Sequence, residues 1–206
     1  MKGFSLAEII VVLAIITLIM GTVLYNAPLF NMRIAMTQAA RLLSFGLRDA
    51  QSRAVAVQVN ASGSAPNTYG IWVTTSTADG NLNNIRDNEQ YTLFSDVKNV
   101  DGRYDLPIGP TCGDATQDPE CVARYTFQRG IRIFRLVRPG PPATNVNEFS
   151  ILFRRPDPTV SIHDGATIFS PFTSGTFGPF QIYIESSDAS INKEIDIWLT
   201  GQVSVK

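Results

Sequence analysis

Hydrophobic positions follow three successive regimes along the chain. From Ile9 to Met32 the sequence is apolar and carries no charge, and at about 1.5 Å per helical residue such a run covers the roughly 30 Å of a hydrocarbon core. The pattern predicts a membrane-spanning helical half over residues 4–32. From Met36 onward the apolar residues thin to one stripe, Met36, Ala40, Leu43, Leu47, Ala50, Ala54 and Val57, spaced by alternating steps of four and three. That spacing predicts an amphipathic helical half over 33–58, with Gln38, Arg41, Arg48 and Ser52 on its other faces. Pro28 and Gly21 are the points where this helix is expected to kink or loosen.

Past a loop-like stretch, Asn60 to Thr68, the period changes to two. Strands are expected at Tyr69–Thr75, Tyr91–Phe94, Arg124–Phe127, Ile131–Val137, Glu148–Phe153, Thr167–Ser170, Phe180–Glu185, Glu194–Leu199 and Gln202–Val205. In the Glu194–Leu199 run Ile195, Ile197 and Leu199 share a face, as one-sided antiparallel strands require. Thr200-Gly201 then predicts a tight hairpin. A helix followed by strands implies an α+β fold, with the head over 59–206 wrapped as antiparallel sheet against the helix.

Composition narrows the class only modestly. The 206 residues, 44% hydrophobic and 17% charged with a net charge of −1, suit one anchored domain and exclude a polyanion binder or acidic tail protein as a whole. Cys112 and Cys121 lie nine positions apart in a polar loop. Outside the cytoplasm they read as a disulfide, otherwise as two free thiols. A metal site would need more ligands, and the only histidine, His163, is far away in sequence.

One carboxylate, Glu8, stands at the lip of the apolar run, where a charge costs about 2.5 to 3.5 kcal/mol. A helix N-terminus favours a negative charge there. The residues before it suggest more. Lys2-Gly3-Phe4-Ser5-Leu6-Ala7-Glu8 closely resembles the processing signal of type IV pilins and type II secretion pseudopilins. The resemblance implies cleavage between Gly3 and Phe4, removing residues 1–3 as a leader, and N-methylation of the new Phe4 terminus. It also implies an assembly role for Glu8, paired with the Phe4 amine of a neighbouring subunit. The expected partners are other pilin or pseudopilin subunits, a prepilin peptidase, an inner-membrane assembly platform, and membrane lipid along residues 4–32. The expected location is the bacterial inner membrane, single-pass with the head outside the cytoplasm, and then the filament.

The helix itself carries a second resemblance. Residues 39–55, Ala-Arg-Leu-Leu-Ser-Phe-Gly-Leu-Arg-Asp-Ala-Gln-Ser-Arg-Ala within them, are similar to the helical signature of the GspH/FimT group of minor pseudopilins, departing from it in the placement of the arginine and the loss of a glutamate. Leu93 to Asp105 resembles that group's acidic-glycine turn, and Ile197 to Val203 its closing hairpin. These likenesses imply a pilin-like fold and a minor structural subunit of a type II secretion pseudopilus or type IV pilus. The alternatives are a DNA-binding minor pilin of a DNA-uptake pilus, and a membrane-anchored binding domain outside any filament.

No catalytic constellation is evident, and no cofactor is expected. His163 reads as a solvated turn histidine rather than a general base. Asp96, Asn99, Asp101 and Asp105 form a weak calcium candidate, against which Val97 stands where an EF-hand-type loop needs an acid. Arg132, Arg135 and Arg138 interleave with apolar residues and are the candidate nucleic-acid contacts. Simple strand alternation points Arg132 and Arg138 one way and Arg135 the other, which splits that patch.

Overall fold

The computed structural model describes residues 5–56, 68–80, 82–97, 101–105, 110–114, 116–154, 160–171 and 178–206. One helix, α1 (Leu6–Val55), starts the fold. Ser5 is its N-cap in an extended conformation, and the Ala56 amide closes the far end on Ser52 O at 2.9 Å. Helix continues across position 28, so Pro28 does not end it.

Among the described residues the strands are β1 (Thr68–Thr74), β2 (Gln90–Ser95), β3 (Cys121–Thr126), β4 (Arg132–Arg138), β5 (Thr144–Val146), β6 (Glu148–Arg154), β7 (Val160–His163), β8 (Ile168–Phe169), β9 (Phe180–Glu185), β10 (Asn192–Ile197) and β11 (Val203–Val205). They form two antiparallel sheets, ordered β3-β2-β1-β6-β7-β8 and β11-β10-β9-β4-β5. The hairpin between β10 and β11 closes through the Trp198 amide on Gln202 O at 2.9 Å.

The core lies where α1 meets both sheets. Met36, Ala40, Leu43, Leu47, Ala50 and Ala54 are buried against Ile71, Val73, Leu93, Ile151 and Phe153 of the first sheet and Ile182, Ile195 and Ile197 of the second. Position 46 fixes the closest approach. A Cβ on Gly46 would stand 2.7 Å from the Tyr91 ring, and only the bare helix backbone lets the Tyr91 hydroxyl donate to Leu42 O at 3.0 Å. Burial pushes the Tyr91 phenol far above its ordinary range, so it stays protonated.

The first sheet is covered on both faces. Its outer face carries a second small core of Trp72, Phe94, Tyr104, Cys121 and Leu152, with Cys112 packed against it. This explains why β1 and β2 are buried at every position and lack the one-sided alternation that the sequence reading required of antiparallel strands.

Two expectations are corrected. The architecture is not the expected pilin-like α+β fold, a long N-terminal helix with a membrane-spanning half packed on an antiparallel β-sheet domain. It is mainly β, two antiparallel sheets with an N-terminal helical part, and among the described residues no helix is long and apolar enough to cross a membrane. The single-pass inner-membrane location falls for the same reason.

Candidate assembly surface

The helix changes character within one turn. From Leu6 to Ile34 its leucines, isoleucines and Phe30 are exposed, Leu18 at 69%, Leu24 at 70% and Phe30 at 65%, while Met36 is fully buried at 0%. The polar side chains Thr17 and Thr22 bond back to the helix, Thr17 to Leu13 O and Ala14 O at 3.0 and 2.9 Å and Thr22 to Ile19 O at 2.8 Å. Their hydroxyls are thereby satisfied locally, and the surface offered to a neighbour is apolar.

Glu8 sits in the first turn. Its amide donates to Ser5 O at 3.0 Å and its Oε2 accepts from the Ser5 amide at 3.4 Å. The carboxylate reaches back over the N-cap and meets the positive end of the helix dipole. This is the local role that the helix-terminus reading assigned to it. Gly3 and Phe4, the expected cleavage pair, lie outside the described residues.

Cys112 and Cys121 form a disulfide with Cα atoms 5.0 Å apart. The loop that it closes carries Asp118, which organises a buried network absent from the sequence reading. Asp118 Oδ2 accepts from the Tyr104 hydroxyl at 2.6 Å and pairs with Arg124 Nη2, while Oδ1 accepts from the Cys121 amide at 3.1 Å. Arg124 also donates to Pro110 O at 2.7 Å. Burial, and then the Asp118 charge, hold the Tyr104 phenol far above its usual range. Only Cys112 and Cys121 marked this loop in the sequence, because Tyr104, Asp118 and Arg124 are ordinary residues until the fold brings them together.

His163 ends β7 and is buried, 7% exposed, which corrects its reading as a solvated turn residue. Its Nδ1 accepts from the Gly165 amide at 3.0 Å. Burial first, and then the Arg103 charge, lower its pKa, so the ring is held neutral.

The calcium candidates do not converge. Asp96 Oδ2 accepts from the Gly102 amide at 2.9 Å and Asp101 Oδ1 from the Arg103 amide at 3.0 Å, both turn-closing bonds. The Asp105 amide bonds Glu120 at 2.8 Å. Asn99 lies outside the described residues, and among these no group of three or more acidic, histidine or cysteine side chains is placed to hold a metal ion.

The arginines are brought together differently from strand alternation. The register between β4 and β9 shifts between Ile133 and Arg135, pairing Arg132 with Glu185 and Arg135 with Tyr183. The irregularity at Phe134 therefore puts Arg132 and Arg135 on one face. Their charge is largely spent within the molecule: Arg132 Nε bonds Glu185 at 2.7 Å, Arg135 lies 4.0 Å from the Tyr183 ring centroid, and Arg138 bonds Asp164 at 2.7 Å. The three do not form an unpaired basic patch. Against family models, curated proteins and solved structures, the chain finds no significant match.

Proposed function

We propose that this chain is a minor structural subunit of the pilin or pseudopilin kind, cut by a prepilin peptidase between Gly3 and Phe4 and assembled into a secretion pseudopilus or pilus. The observation that carries this reading is the abrupt exposure change along α1. One stretch of a single helix is buried in the head, and along the rest the described large apolar side chains are mostly exposed. Exposed apolar surface of this extent marks an interaction site. Equivalent helices of neighbouring subunits would cover it, and the assembly machinery would act on the same stretch. The function is assembly by burial of this surface, with no chemical step on the chain after processing.

Glu8 has a defined part in this reading. Its carboxylate lies at the start of the bare helix, and an amine created on Phe4 by cleavage would supply the opposite charge within or between subunits. Two measurements test the proposal. Intact mass of the chain from cells with an active prepilin peptidase is expected to lack Met1 to Gly3, and a mass retaining them would overturn it. Glu8→Ala is expected to be cleaved normally yet to enter filaments less well than the unsubstituted chain, and normal occupancy would remove Glu8 from the mechanism.

A further inference from the structure

On the outer face of the first sheet, opposite α1, a cleft of about 410 Å³ opens between the Asp101–Gly102 turn and β8. Leu152 and Ser161, facing each other across the β6–β7 register, lie in it. Ile168 contributes an apolar wall and is 50% exposed. A Cβ on Gly102 would stand 3.7 Å from Ile168 Cδ1, an ordinary van der Waals separation, so turn and strand adjoin at Ile168.

Two opposite charges line this cleft, Asp101 on the turn and Arg154 at the end of β6. Arg154, like Arg129 and Arg135, has no carboxylate partner among the described residues. Arg103, Arg124, Arg132 and Arg138 each hold a carboxylate, Glu148, Asp118, Glu185 and Asp164 respectively. Arg154 is exposed and makes no ion pair among the described residues. Asp101 accepts the Arg103 amide through Oδ1 and is likewise exposed. A concave site with an apolar wall and a few polar groups is what small-molecule recognition requires. The sign of the groups selects the ligand: one cation and one anion suit a molecule carrying both charges.

We propose that this cleft binds a small zwitterion with an apolar side chain, of the size of an amino acid or dipeptide. Its carboxylate meets the Arg154 guanidinium, its ammonium meets Asp101, and its apolar part lies on Leu152 and Ile168, with the Ser161 and Ser170 hydroxyls at the polar edge. The site lies on the opposite side of the sheet from the helix, and the proposal does not depend on filament assembly.

The test is titration of the full chain, labelled at isoleucine methyl groups, with three probes: leucine, 4-methylpentanoate, which lacks the ammonium, and isoamylamine, which lacks the carboxylate. Leucine is expected to shift the Ile168 methyl resonance saturably and to bind at least about tenfold more tightly than either half-molecule, the loss expected for removing one charge-assisted contact. Arg154→Gln and Asp101→Asn, both exposed positions, are expected to weaken leucine by a similar factor without changing the melting temperature. Absence of a saturable shift with leucine, or equal binding of the three probes, overturns the proposal. The comparison of probes on the unsubstituted chain holds that test even where a substitution disturbs folding.

Discussion

Asp118 and Arg124 show how a single pair can hold a loop in place. Their side chains are 1% and 8% exposed, so each charge is stable there only because the other is present, and the Tyr104 hydroxyl takes up more of the carboxylate. Removing one partner leaves a buried charge alone, a loss of about 3–5 kcal/mol. Arg124→Met is therefore expected to lower stability in urea unfolding by that order, with the double variant Arg124→Met/Asp118→Leu recovering part of it. A loss below about 1 kcal/mol, the range of an exposed ion pair, would show that the pair is solvated. His163 acts at the same scale through pH. Its folded pKa is lowered, so the unfolded chain binds the proton more readily. Stability from this group is then present above the unfolded value of about 6.5 and is lost as pH falls through and below it. The melting temperature is expected to decline over that window, and His163→Asn to flatten the decline. An unchanged profile in the variant would assign the decline to other groups.

At the scale of elements, α1 and the strands answer to different information. The stripe from Met36 to Ala54 was readable because one helical face must be apolar to pack, and those residues are buried. The hairpin at Thr200-Gly201 was readable from its turn chemistry. The pairing of β4 with β9 was not, since the irregularity at Phe134 follows from contact between segments about fifty residues apart in sequence, and no local pattern encodes it. The short strands β5 and β7 were missed because Thr144–Val146 and Val160–His163 are too short for their pattern to mark a strand, and they become strands by pairing with β4 and β6. The seam between helix and first sheet rests on Gly46. Gly46→Ala would put a Cβ 2.7 Å from the Tyr91 ring, and forcing extra volume into a packed site costs about 1–3 kcal/mol. It is expected to destabilise the chain by that order in thermal unfolding although alanine is the better helix former, and a gain in stability would mean the ring moves aside freely.

For the whole molecule the decisive contrast is between a finished head and an unfinished helix. The head buries the inner faces of its central strands from both sheets in one core and closes its outer core with a disulfide. The helix from Leu6 to Ile34 leaves its leucines, isoleucines and Phe30 bare, and a charge placed on that surface should spoil only what it contacts outside the chain. Under the proposed assembly function, Leu18→Lys is expected to leave the melting temperature of the head unchanged and to abolish entry into filaments, measured by filament occupancy. Retained assembly would show that this surface is not the interface.

Sequence alone determined the features whose physics is local. An apolar run, a helical stripe, alternating strands and turn residues each report a burial requirement met within a few residues of chain, and Cys112 and Cys121 bracketed a loop short enough to close. Tertiary structure decided what depends on distant partners. It made two sheets of the strands and covered both faces of the first, buried His163, spent Arg132 and Arg138 on carboxylates, and joined Tyr104, Asp118 and Arg124 beneath the disulfide loop. It also overturned the membrane-spanning reading. Charges and hydroxyls look alike in a sequence whether they face water or one another, and only the folded chain brings their partners within bonding distance.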